Sequence, residues 1–206
     1  MAMDFTAIAL TELGSMSDRR MFAMNDYYPN KTYADPIART GPAHGLNSFL
    51  IEEPPGKEGL NTGLMMLQAT AAALVSDRKA LAHPDSVDSI PSSGNQEDHV
   101  SMCLNAARHA REIVRNIEHV VALELICAAQ AISLQLGKSG NSNLHPGIGT
   151  SCAYHTLRGS GVAALHQDRV LYPDIRLAVR LLRSGELLRA ARRATKLDDD
   201  RVAASA

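Results

Sequence analysis

The sequence predicts an all-α chain built as a long-helix bundle. Three observations carry that reading. Alanine and leucine dominate a composition that is 45% hydrophobic but only 4% aromatic, with no tryptophan, and such a mix favours helix. Apolar residues recur at three- and four-residue spacing over long stretches, and no two-residue alternation persists. One stretch, residues 97–136, would span roughly 60 Å as a helix, a rod that suits a bundle assembled from several copies better than one small domain.

Taken in order, residues 1–24 read as a helix with a broad apolar face of Ala2, Phe5, Ile8, Ala9, Leu13 and Met16, which wants cover on more than one side. Arg19 and Arg20 read as helix-surface charge. Residues 25–59 are rich in Pro, Gly, Asn and Asp and form a long loop anchored by Phe49-Leu50-Ile51. Asn61 or Thr62 can cap a helix running to about residue 83. Its face is marked by Leu64, Leu67, Ala71, Leu74, Val75, Arg78 and Leu81, with the Arg78 head free to reach water. Pro84 stops it.

The loop that follows organises the chain. Ser93 with Gln96 three residues on fits a capping box. Glu97 and Asp98 then fall in the first turn of the long helix, where the dipole favours negative charge. Val100, Cys103, Ala107, Ala110, Val114, Ile117, Val121, Leu125, Ala128 and Ile132 continue the apolar stripe. Gly137 and Gly140 end it. Thr150 can cap a helix to about residue 161. Pro173 sits near the first turn of another, and residues 187–206 read as a frayed tail. The whole chain, 1–206, reads as a single helical segment.

The formal net charge of −1 gives no global field for nucleic acid or an anionic membrane. No secretory leader is visible, and no apolar run is long enough for a span. Three widely spaced cysteines, Cys103, Cys127 and Cys152, offer neither a local metal motif nor a full disulfide framework. Cys103 and Cys127 read as buried small hydrophobes. A reducing, cytoplasmic setting follows. No histidine pair has zinc-site spacing, so no metal is expected. There is no nucleophile elbow, phosphate loop or dinucleotide fingerprint.

Several runs carry a resemblance. Gly59-Leu60-Asn61-Thr62-Gly63, Lys79-Ala80-Leu81-Ala82-His83-Pro84 and above all Asn95-Gln96-Glu97-Asp98-His99-Val100-Ser101-Met102 resemble the C-terminal part of the aromatic amino acid lyase family, and within it the histidine ammonia-lyase branch. Glu12-Leu13-Gly14-Ser15 with Arg19-Arg20, and Asp168-Arg169 with Pro173-Asp174, are similar to further family segments. The resemblance implies the C-terminal portion of the lyase fold, elimination of ammonia from L-histidine to urocanate, and a tetrameric assembly. It also implies an electrophilic ring, 4-methylidene-imidazol-5-one, made from an internal Ala-Ser-Gly. This sequence contains no Ala-Ser-Gly, so the ring would come from an N-terminal half carried elsewhere.

By the same resemblance Glu97 is the candidate catalytic residue, contacting the substrate's imidazole or amino group, with Asn95 and Gln96 as substrate-binding neighbours. A carboxylate at a helix start stays ionised and suits pairing with a cation. The two amides can both donate and accept hydrogen bonds. Two other readings remain open: an inactive helical oligomerisation remnant, and part of a tyrosine or phenylalanine lyase or aminomutase.

Overall fold

The spine of the structure, a computed structural model that describes residues 1–25, 46–52, 56–57, 59–137 and 145–195, is one long helix against which the others pack. In chain order the helices are α1 (Ala2–Asn25), α2 (Met65–Leu81), α3 (Cys103–Gly137), α4 (Ile148–Gly159), α5 (Tyr172–Ser184) and α6 (Glu186–Thr195). Three short 3-10 turns lie at Ser48–Leu50, Asp85–Val87 and Ser93–Asn95. Among the described residues there is no sheet, only an isolated bridge between Ser92 and Glu97. Helices α1, α2 and α5 lie against α3, and α6 lies against α4. The all-α expectation holds.

The main core is centred on the second half of α3. Val120, Leu123, Ile126 and Cys127 share one cluster with Leu67, Ala71 and Val75 of α2 and with Leu157, Val179 and Leu187 of the C-terminal helices. A smaller cluster joins Ala7 of α1 to Ala110, Ile113 and Ile117. By length and composition α3 is apolar enough to cross a bilayer, although no such run was expected. Its buried apolar side chains form this core, while Leu104, Val114 and Leu136 are exposed.

Polar ties hold the irregular segments to α3. Gln130 is buried and donates to the carbonyls of Leu50 (3.1 Å) and Leu165 (2.8 Å), while its own oxygen accepts the Leu165 amide at 2.9 Å. Arg158 adds Nη2 bonds to the Gln130 side-chain oxygen (3.3 Å) and to Ser133 (2.9 Å), and lies over the Tyr154 ring. At the start of α2, Asp168 accepts from the Thr62 amide, the Thr62 hydroxyl and the Gly63 amide at 2.7–2.9 Å. Burial pushes the Asp168 carboxyl up, and these three donors outweigh it, leaving it below the usual carboxylate range. This clamp delays the helix: α2 begins at Met65, because Thr62 is held by Asp168 instead of capping. Pro173 lies in the first turn of α5, and Gly185 closes that helix with φ 69°, the left-handed conformation glycine adopts without strain.

Several further expectations change. The long helix starts at Cys103, not Glu97. Residues 187–195 are the helix α6, not a frayed tail; 196–206 lie outside the described residues, as does most of the 25–59 loop. Arg78 does not reach water. It is 0% exposed, and none of its three guanidinium nitrogens has a hydrogen-bond partner among the described residues. Burial lowers its pKa, opposed by the Asp18 carboxylate. The guanidinium lies against Gly14 of α1, where any Cβ would overlap it. Asp18 itself takes its hydrogen bonds from Arg19 and Gln68.

Another concerns α1. Its apolar stripe is where the spacing put it, but it faces away from the chain. Asp4, Ala7, Thr11, Gly14, Ser17, Asp18, Met21 and Asn25 are buried, while Phe5 (69%), Ile8 (45%), Leu13 (46%) and Met16 (50%) are exposed. The inward face combines the packing of Ala7 and Met21 with polar bonds: Ser17 donates to Glu124 at 2.5 Å, Arg20 pairs with Glu124, and the Asn25 amide reaches Cys127 Sγ at 3.5 Å.

The thiols also separate. Cys103 is exposed, against the expectation of burial, because it lies in the first turn of α3 beyond the core; Cys152 is partly exposed and Cys127 is buried as expected. Burial pushes the Cys127 thiol up to about 12, with the Asn25 amide opposing and Glu124 adding to the rise. Because the thiolate is the reactive form, a thiol-specific dye at pH 8 should label Cys103 rapidly and Cys127 only on unfolding. Equal labelling rates in the folded chain would contradict this packing.

Candidate functional site

The Asn95-Gln96-Glu97 run sits at the tip of a finger that connects α2 to α3. Its root is fixed by residues distant in sequence. Asp4 of α1 accepts from the Asp85 amide at 3.1 Å and from the Ser86 hydroxyl, and the Met1 amino group reaches Ser86 Oγ at 2.6 Å. The Ser86 hydroxyl holds the Asp4 carboxyl below the usual range, against the effect of burial. On the other side, His109 Nδ1 of α3 lies 2.9 Å from Asp85 Oδ2. Further out, the Val100 amide donates to Ser89 Oγ at 2.9 Å and closes the base of the finger.

The tip is a tight reversal. Ser92 and Glu97 exchange backbone hydrogen bonds at 3.0 and 3.4 Å. Between them Ser93, Gly94 and Asn95 all take positive φ, at 54°, 62° and 65°. Two non-glycine residues in the left-handed region cost energy that the surrounding bonds must offset. Residues 91–99 are all exposed. The tip therefore projects Asn95, Gln96 and Glu97 together, away from the core.

This geometry corrects the helix-start reading. Ser93 makes no capping bond. The Glu97 amide is used by Ser92, so the helix cannot begin there, and five residues separate Glu97 from Cys103. The α3 dipole does not act on Glu97. Its carboxylate accepts from the Ser92 hydroxyl at 3.2 Å and belongs to no ion pair among the described residues. The side chain that meets the start of α3 is Ser101, whose Oγ accepts from the Cys103 amide at 3.3 Å. Its place two residues before the helix was the only sequence signal for it.

A bare carboxylate flanked by two amides can bind a cationic group and orient it, but it needs an opposing wall. The clefts described in this chain do not supply one. A cavity of about 280 Å³ lies between the start of α2 and residues 165–175, and one of about 370 Å³ lies between α1 and α2. Neither is lined by Glu97, Asn95 or Gln96. Among the described residues no three His, Cys, Asp or Glu side chains converge as a metal-ligand set.

The family model for aromatic amino acid lyases matches residues 1–158. The chain belongs to the aromatic amino acid lyase family. It is 46% identical over 197 residues to the histidine ammonia-lyase of Alkaliphilus oremlandii, covering 96% of this chain but 34% of that protein. To the histidine ammonia-lyase of Deinococcus radiodurans it is 44% identical, covering 93% and 32%. Among solved structures it resembles histidine ammonia-lyase from Trypanosoma cruzi (TM-score 0.75, 35% identity, 94% of this chain and 33% of that one). Tyrosine aminomutase from Streptomyces globisporus is also similar (TM-score 0.77, 33% identity, 94% and 32%). The chain thus spans about a third of the length of the lyases it matches.

The family's electrophilic ring does not fit this chain. The tripeptide that forms it is absent. The nearest glycine-serine tract, Gly159-Ser160-Gly161, closes α4, with the Ser160 hydroxyl spent on the Leu157 carbonyl at 2.7 Å.

Proposed function

We propose that this chain is the C-terminal segment of a histidine ammonia-lyase-like enzyme, which as a whole converts L-histidine to urocanate and ammonia in the cytoplasm. The observation that carries this reading is the finger: a strained reversal that presents Asn95, Gln96 and Glu97 with no opposing wall of its own. Glu97 would pair with the substrate's imidazole or ammonium group, and the amides of Asn95 and Gln96 would fix its orientation. The electrophile and the opposite wall would come from the N-terminal part of the lyase, encoded in the same gene or on a separate subunit, in a tetrameric assembly with further copies of this chain. The matched relatives in the histidine branch support histidine over tyrosine or phenylalanine.

Native mass spectrometry of the chain from its own source tests the composition, and urocanate formation tests the activity. In the assembled enzyme, Glu97→Gln should cut histidine turnover at least tenfold, about 1.4 kcal/mol of barrier. Unchanged kinetics would remove Glu97 from the site. One observation favours a second reading, an inactive helical oligomerisation module: the sequence cannot form the electrophile. Purification only as copies of itself, with no turnover, would establish that reading.

A further inference from the structure

We propose that His109 is a positioning residue for the candidate site: by holding Asp85 it anchors the finger to α3 and sets where Asn95, Gln96 and Glu97 stand. The inference rests on the functional reading above and adds what keeps the site in place. The finger, residues 82–102, contains only 3-10 turns and the bridge between Ser92 and Glu97, and its tip is exposed throughout. The position of the tip therefore depends on the contacts at the root. Asp4 of α1 takes the backbone amide of Asp85 and the Ser86 hydroxyl, which leaves the Asp85 carboxylate to His109. Asp85 Oδ2 and His109 Nδ1 lie 2.9 Å apart. Both atoms are enclosed, and neither makes a hydrogen bond to another group among the described residues. Two acceptors at that distance would repel, so the contact requires a proton on Nδ1, in the neutral or the charged ring. His119, further along the same helix, shows the ordinary alternative: its Nδ1 meets the Arg115 carbonyl of α3 itself at 2.8 Å. His109 reaches across to another element instead.

The helix is a firm anchor. Ala106, Ala110 and Ile113, on either side of His109, are buried, and the last two pack against Ala7 of α1. A group held by a packed helix is placed more precisely than one held by a loop. The contact also joins the two legs of the finger. The outgoing leg runs into α3 at Cys103, while the incoming leg leaves α2 at Leu81. His109 fastens the incoming leg to α3 as well, and the Val100 amide closes the base on Ser89. Without His109 the incoming leg follows α1 and α2 alone, through Asp4, and the tip swings relative to α3. Glu97 is then in place for only a fraction of the time. Substrate that binds only the placed state binds more weakly by that fraction, and saturation restores the placed state. Loss of the tether is therefore read in KM. A change that merely unfolds part of the enzyme lowers the apparent kcat at unchanged KM.

The test compares His109→Ala, His109→Asn and Asp85→Ala with Glu97→Gln in the assembled enzyme, and follows hydrogen exchange of the full chain by mass spectrometry. For His109→Ala and for Asp85→Ala the expected result is a KM for histidine raised at least about fivefold, with kcat within about twofold of native. The two changes together should do no more than either alone, as for residues that act through one contact. His109→Asn keeps an N–H near the place of Nδ1 and should recover most of the loss. In His109→Ala the amides of Asp85 and Val100 should exchange at least about fivefold faster, while α3 from Val120 onward is unchanged. A native KM in His109→Ala, a loss in kcat alone, or an Asn variant no better than Ala would overturn the proposal, as would unchanged exchange at Asp85 and Val100. Native kinetics for Glu97→Gln would overturn the functional reading instead, and the exchange rates then decide the tether by themselves.

Discussion

Replacing Gln130 by leucine is expected to cost about 4 kcal/mol of folding stability, since each buried polar group left without a partner costs roughly 1–3 kcal/mol. Leucine nearly matches glutamine in volume, so a cavity contributes little. What is lost is the set of bonds that tie two irregular segments to α3. The Leu50 and Leu165 carbonyls and the Leu165 amide lose these partners at buried residues. Arg158 also loses one of its acceptors. Typical domains are stable by only about 5–15 kcal/mol, so the loss is a large share of the total. Urea unfolding followed by circular dichroism measures it as a lower midpoint at unchanged slope. A cost below about 1 kcal/mol would mean that the segments around Leu50 and Leu165 hold themselves in place.

Replacing Arg78 by methionine should have the opposite sign, raising stability by about 1–3 kcal/mol, because removing poorly compensated buried charge in favour of apolar packing is often stabilising. Arg78 has no hydrogen bond to lose among the described residues, and Asp18 keeps its bonds from Arg19 and Gln68. Gly14 supplies an internal check. In the native background Gly14→Ala drives a methyl group into the boxed guanidinium and should be destabilising. In the Arg78→Met background most of that clash is gone, and the better helix propensity of alanine, about 1 kcal/mol, can show. The two changes should therefore couple by more than about 1 kcal/mol, as contacting residues do. Thermal denaturation of the four proteins closes the cycle. A fall in melting temperature on Arg78→Met would show that the guanidinium is paid back by a partner after all.

Much of this was legible in the sequence. The 3.6-residue spacing from Ala107 to Ile132 identified the helix that became the spine, and Pro84, Gly137 and Pro173 marked boundaries the structure keeps. The errors fall where a distant group captured a local signal. Thr62 has the chemistry of a cap, but Asp168, 106 residues away, takes both its amide and its hydroxyl. Ser93 and Gln96 have the spacing of a capping box, but backbone pairing of Ser92 with Glu97 uses the amide a helix would need. Periodicity found the apolar stripe of α1 and gave no direction for it, since spacing defines a face but not what stands opposite. The same limit applies to the candidate site. The contiguous run Asn95-Gln96-Glu97 was visible, and its lack of an opposing wall was not.

The outward stripe of α1 also has a calorimetric meaning. The heat capacity of unfolding, ordinarily about 12–15 cal/mol/K per residue, arises mainly from apolar surface newly exposed to water. In this chain Phe5, Ile8, Leu13 and Met16 are hydrated before unfolding begins and add little to that change. The isolated chain therefore has a flatter stability curve than its length implies. The missing heat capacity is deferred to whatever event finally removes α1 from water.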